Sequence, residues 1–175
     1  MMTKFKASSK DVQVNGETIL AFVNAVASSK NSKLEVLKKK GISDPAPGKW
    51  YSQQAWLDAF EAINQSLGPV NMKMIGKAIP KNAKFPPIKN LKEAYELLDQ
   101  AYHSNHRGGE IGYYKLISYD ANAKMLQMEC NTPYPESFDE GIILGLFDMF
   151  KPTGAFMARV KQTPKTTGIL YTMNW

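Results

Sequence analysis

The hydrophobic period of this chain changes once, near Gly108-Gly109, and that change limits what the chain can fold into. Ahead of it, apolar residues recur at helical spacing; after it, they alternate as in strands. Within 52–67, Trp56, Phe60, Ile63 and Leu67 recur at spacings of 4, 3 and 4, and Gly68-Pro69 predicts the stop. "ETILAFVNAV" (17–26) follows Asn15-Gly16 and puts Ile19, Val23 and Val26 on one face. "KLEVLKKKG" (33–41) reads as a short second helix with Gly41 as its C-cap, and Met72, Ile75 and Ile79 mark another, broken by Pro80. Asn90-x-x-Glu93 resembles a capping box. It opens a helix with the stripe Leu91, Tyr95, Leu98 and Tyr102, which Gly108-Gly109 is expected to end. The front half therefore reads as helices.

Beyond the glycines, "EIGYYKLISY" (110–119) and "MLQMEC" (125–130) read as strands around a "DANAK" turn, with Leu126, Met128 and Cys130 on one face. Ser137-x-x-Glu140 predicts a capped apolar helix at about 138–150. Two strands close the chain. Phe156, Ala158 and Val160 alternate with Met157, Arg159 and Lys161, and Ile169, Tyr171, Met173 and Trp175 share a face. The expected class is α+β, N-terminal helices followed by a β-β-α-β-β antiparallel sheet unit, in a single domain over 1–175. Gly141 and Gly145, four apart, predict close approach of another element. With Ile142, Ile143, Leu146, Phe147 and Phe150 around them, that helix needs cover on more than one side, from the sheet and a second layer or from a dimer partner.

Charge narrows the function classes. The chain has 22 Lys plus Arg against 16 acids, a net +6, but Arg107 and Arg159 are its only arginines. Readers of nucleic acid favour Arg for bidentate contacts, so no nucleic-acid partner is expected. One cysteine, Cys130, excludes an internal disulfide and suits a reducing compartment. "MMTKFKASSK" has no apolar signal core, and no run approaches the ~18 apolar residues of a membrane span. A cytoplasmic location is the expectation.

The stretch "AYHSNHRGGEIGYY" (101–114) gathers both histidines, His103 and His106, with Arg107 and Glu110. Three readings of the histidines stand: helix capping and packing, polar groups of a pocket, or ligation of haem or metal. Arg107 and Glu110 flank the glycines and are expected to pair across the joint, or to present Arg107 to a ligand carboxylate or hydroxyl. Tyr134, between two prolines in "NTPYP", is either a packed turn residue or pocket lining. Cys130 reads as a buried thiol, and the acids Asp139 and Glu140 as companions of a helix dipole. No nucleophile motif or phosphate loop occurs, so no catalytic residue is assigned.

The segment "MECNTPYPESFDEGIILGLF" (128–147) resembles the 4-vinyl reductase-like domain, through Asn131, Pro133, Tyr134, Pro135, Phe138, Asp139, Gly141, Ile142 and Ile143. "TGILYTMNW" resembles that domain's final strand. The family sits in a broader group with the haem nitric-oxide-binding domain and transport-complex subunits of Golgi traffic. The resemblance implies a scaffold, often dimeric, that binds a small apolar or amphipathic molecule between helices and sheet. Tyr95, Tyr102, His103, His106, Arg107, Glu110 and Tyr134 are the expected ligand-binding residues. Two alternatives follow from the broader group: haem bound through His103 or His106, or a dimerising interaction module. In the haem domain the axial histidine lies on the helix before the first strand, where His103 and His106 fall. Its propionate clamp, Tyr-x-Ser-x-Arg, meets "CNTPYPESF" here, which has no Arg. The cysteines that the 4-vinyl reductase-like family often carries after Pro-Tyr-Pro and before the last strand are also missing.

Overall fold

The computed structural model describes residues 1–25, 30–82 and 87–175. Val26, expected on the face of the first helix, lies outside the described residues. Strand β1 (Gln13–Asn15) runs into helix α1 (Gly16–Asn24), and the Asn15 side chain caps that helix by accepting from the Thr18 amide at 2.9 Å. Helix α2 (Lys30–Lys39) and strand β2 (Trp50–Ser52) precede the long helix α3 (Gln53–Asn82). Gly68 sits inside α3 in the left-handed region, φ 74°, ahead of Pro69. The non-helical Gly68 thus parts α3 into the two helices expected around Gly68-Pro69, whereas Pro80, the expected break of the second, lies inside it two residues before its end.

The helix expected from Asn90 is two short ones, α4 (Leu91–Glu96) and α5 (Leu98–Ser104), broken at Leu97. Asn90 caps α4 by accepting from the Glu93 amide at 3.0 Å. All four residues of the stripe, Leu91, Tyr95, Leu98 and Tyr102, are buried as expected.

One expectation fails here. The helix stops at Ser104 rather than at Gly108, and His106–Arg107 form a strand, β3, antiparallel to β1. With β2 on the other side of β1, the front half contains a three-stranded sheet, β2-β1-β3, among its helices. Strands of two and three residues are too short to show alternation, so hydrophobic period cannot reveal them. Gly108 then turns the chain with φ 89°, and a Cβ there would lie 2.2 Å from the Asp11 carbonyl oxygen.

The back half follows the expected order. Strands β4 (Tyr113–Asp120) and β5 (Met125–Asn131) precede helix α6 (Glu136–Phe150), and β6 (Arg159–Pro164) and β7 (Ile169–Asn174) close the chain. They form an antiparallel sheet in the order β4-β5-β7-β6. Tyr114, Leu126, Met128, Cys130, Ile169, Tyr171 and Met173 make its buried face. The third strand begins only at Arg159, which leaves Phe156 and Met157 outside it.

Helix α6 fits between the sheet and α3. Tyr171 on β7 donates to the Glu136 carbonyl at 3.1 Å, and Tyr95 on α4 donates to the Ile143 carbonyl at 2.9 Å. On the α3 side the backbones nearly touch. A Cβ on Gly141 would stand 2.3 Å from the Lys73 carbonyl oxygen, and one on Gly76 2.3 Å from that of Phe138. The apolar faces of α6 are therefore covered within the chain, where a dimer partner was the alternative expectation. The Ser137 box does not form: α6 starts after Pro135 with no side-chain cap. Glu140 instead meets Lys73 Nζ at 2.6 Å and Gln162 Nε2 at 2.6 Å. Among the described residues no helix is long and apolar enough to cross a membrane.

Candidate functional site

Between α1 and α3 on one side and α5, β4 and α6 on the other lies an apolar cavity of about 60 Å³. Phe22, Trp56, Phe138 and Ile142 supply much of its wall. Aromatic rings fill the space around it. Phe22 and Phe60 are 4.6 Å apart centre to centre, Trp56 meets Phe22 edge-on at 5.0 Å, and Phe60 lies 5.2 Å from Tyr134.

The polar end of the cavity is a hydrogen-bonded chain. His106 Nδ1 lies 2.9 Å from the Tyr102 carbonyl oxygen, so Nδ1 carries the proton and donates. Nε2 is then an acceptor and receives a hydrogen bond from the Tyr134 hydroxyl at 3.2 Å. The Tyr134 oxygen accepts in turn from Trp56 Nε1 at 3.1 Å. This chain needs a neutral imidazole, and burial supplies one. Removal from water pushes His106 down to about 4, against the opposing hydrogen bond to Tyr102. Burial likewise raises the Tyr102 and Tyr134 hydroxyls, so both stay protonated. Beside Tyr134 sits Gln53, fully buried, its amide close enough to act on the Tyr134 hydroxyl yet with neither polar atom in hydrogen-bonding geometry. Leaving such a group unsatisfied costs roughly 1–3 kcal/mol.

A second buried cluster stands behind the wall. Asp139 accepts from the Tyr114 hydroxyl at 2.6 Å and from Thr132 Oγ1 at 2.7 Å, and burial raises its carboxyl to about 6 despite the nearby Lys4 and those two donors. Asp139 is thus an internal acceptor joining β4, the 131–135 turn and α6, where a helix-dipole companion was expected. The Lys4 ammonium reinforces that turn through the Thr132 carbonyl at 3.2 Å and the Tyr134 carbonyl. Cys130 is buried, its thiol pushed well up by desolvation.

The structure divides the expected ligand-binding residues. Tyr102, His106 and Tyr134 line the cavity. Tyr95 is buried elsewhere, on the Ile143 carbonyl and 3.8 Å from the Met173 sulfur. His103 is half exposed, with Nδ1 2.9 Å from the Asp99 carbonyl oxygen and 3.4 Å from the Asp99 carboxylate. Arg107 and Glu110 do not pair. Arg107 Nε donates to Gln13 at 2.7 Å and its guanidinium stacks 4.4 Å over the Trp50 ring, while Glu110 accepts from the Gly112 amide at 2.7 Å. Both still brace the joint, each through a different neighbour. Trp56, Gln53, Asp139 and Thr132 were not foreseen as site residues. Trp56 reads in sequence as one more member of a helical stripe, and its bond to Tyr134 spans 78 positions.

No protein-family model matches the sequence, and no curated protein matches it. Solved structures do. An oxygen-binding H-NOX domain related to soluble guanylate cyclases, in its oxygen complex, superposes with a TM-score of 0.64 at 15% identity, over 91% of this chain and 94% of that one. The I75F/L144F variant of Tt H-NOX gives 0.65 at 13% over 92% and 94%. An H-NOX protein from S. oneidensis in the Fe(II)NO state gives 0.64 at 11% over 91% and 98%.

The chain has the H-NOX fold.

That fold brings haem into question, and the residues present do not fit it. A cofactor-sized pocket runs to roughly 300–1,000 Å³, several times the volume here. Both His106 nitrogens are already engaged, and His103 lies outside the cavity. No Lys or Arg lines the cavity among the described residues, so two propionates would enter without cationic partners. Among the described residues, no group of three or more His, Cys, Asp or Glu could hold a metal ion.

Proposed function

We propose that this chain is a non-catalytic, sensor-type domain on the H-NOX fold that binds one small, neutral, mostly apolar molecule directly, without haem. The observation that carries the reading is the aromatic-walled cavity closed by the neutral chain Trp56–Tyr134–His106. By the ~10–15 Å³ that one water-sized group needs, the cavity takes only a handful of heavy atoms. A charged ligand would be desolvated there with no counter-ion. One polar atom on the ligand is accommodated at the Tyr134 hydroxyl, beside the unbonded Gln53 amide. In this reading Tyr102, His106 and Tyr134 touch the ligand, and Tyr95, His103, Arg107 and Glu110 do not. The Asn131–Ile143 motif favours the 4-vinyl reductase-like branch of the superfamily, in a single cytoplasmic domain.

Two titrations on the purified full chain test it. Haem addition is expected to give no Soret shift that distinguishes wild type from His106→Ala or His103→Ala. Xenon, a probe small enough for the cavity, is expected to shift methyl NMR signals at Ile79, Leu98 and Ile142, which line the cavity. One equivalent of haem bound with a spectrum lost in His106→Ala overturns the reading in favour of a haem protein. Xenon-induced shifts scattered away from the cavity would remove its support.

A further inference from the structure

At the end of the sheet remote from this cavity, the segment between α6 and β6 exposes its two largest apolar side chains. Phe156 is 90% exposed and Met157 67%. Lys124, from the β4–β5 turn, Arg159 and Trp175 line the same shallow groove as these two residues. Lys161 follows Arg159 on the outer face of β6, since the alternate residue Val160 pairs with the inward Met173. From residue 149 to 175 the chain carries Lys151, Arg159, Lys161 and Lys165 and no Asp or Glu. Of the acids nearby in sequence, Asp148 is paired to Lys77 at 2.8 Å, and Asp120 accepts from the amides of its own turn.

We propose that this tip docks the protein on an anionic lipid surface, with Phe156 and Met157 entering the interfacial layer and Lys124, Arg159 and Lys161 lying against lipid phosphates. An aromatic and a flexible thioether on a protruding loop, ringed by cations, match the boundary between acyl chains and headgroups. The charge is complementary to the surface of phosphatidylserine-rich membranes, which attracts each basic residue within a Debye length. Strand addition is the competing use of this edge. β6 opposes it with Arg159, Lys161 and Pro164, the residue types that guard exposed strands.

Co-sedimentation of the full chain with vesicles tests the proposal. Vesicles of phosphatidylcholine with about one third phosphatidylserine are expected to carry down the protein, and pure phosphatidylcholine vesicles far less. Raising salt from 0.1 to 0.5 M is expected to release it as the Debye length shrinks. Phe156→Ser with Met157→Ser is expected to weaken binding at least tenfold, and Arg159→Gln with Lys161→Gln by roughly fivefold per charge. All four side chains are exposed or lie on an outer face, so melting temperature is expected to stay unchanged and to certify folding. Binding that is absent, or equal for both vesicle types, overturns the proposal. So does a concentration-dependent dimer lost in the Phe156/Met157 variant, which would assign the tip to self-association.

Discussion

Gly141→Ala is expected to destabilise the protein by about 3 kcal/mol or more, although the same change inside an isolated helix is worth about 1 kcal/mol in the opposite direction. The sign reverses because the added methyl would stand 2.3 Å from the Lys73 carbonyl oxygen and 2.9 Å from Gly76 Cα. Both atoms are backbone and cannot rotate aside, so α3 and α6 must separate. Ile75, Ile143 and Leu146 are buried alongside this seam. A loss of that size takes a large part of the ~5–15 kcal/mol that holds an ordinary domain folded. Urea midpoints at constant m-value measure it. Ser137→Ala in the same helix is the companion variant. A working capping box would make it cost about 1 kcal/mol, but α6 has no side-chain cap, and a change within about 0.5 kcal/mol is expected. A stabilised Gly141→Ala protein would show that the helices are not in backbone contact.

Between pH 4 and 6 the buried His106 and Asp139 are expected to contribute almost no net change in the stability of the wild-type protein, because they oppose one another. His106 falls from 6.5 to about 4 on folding, so the unfolded chain binds a proton that the native state refuses. Its contribution is complete above pH 6.5 and is lost as pH falls toward 4, amounting to about 3 kcal/mol. Asp139 rises from 3.8 to about 6, so the native state holds a proton that the unfolded chain releases. Its contribution is complete below pH 3.8 and is lost as pH rises toward 6, again about 3 kcal/mol. Asp139→Asn removes one side of the balance, and stability should then fall steadily from pH 6.5 to 4. His106→Gln removes the other, and stability should rise over the same interval. Difference curves against wild type cancel the exposed carboxylates common to all three. Parallel curves for the two variants would refute the assignment of these two groups.

Where local pattern decides structure, the residues suffice to read it. The stripe Trp56, Phe60 and Ile63 is helical and buried, and Leu126, Met128 and Cys130 alternate inward, because period and burial are written in neighbouring residues. Gly141 and Gly145 announced a close neighbour, and α3 is that neighbour. The candidate site was half legible. His106 and Tyr134 stood out as polar groups at a joint and a turn, whereas Trp56 looked like any core aromatic and Asp139 like any first-turn acid. What gives these two their roles is a partner far along the chain, Tyr134 for Trp56 and Tyr114 for Asp139.

His103 and His106 mark the boundary most sharply. They are three residues apart and read alike, yet one ends half exposed on an α5 carbonyl and the other at the centre of a neutral network with its basicity suppressed. A two-residue strand, β3, separates their fates by seating His106 against β1. The sequence by itself determined the α+β class, the β-β-α-β-β order and the helix–helix seam, since each depends on spacing within one element. Only the tertiary structure decided which histidine faces the cavity, how small that cavity is and which charges are buried. Those properties arise from packing between elements, and desolvation there shifts each group according to neighbours that no local pattern names.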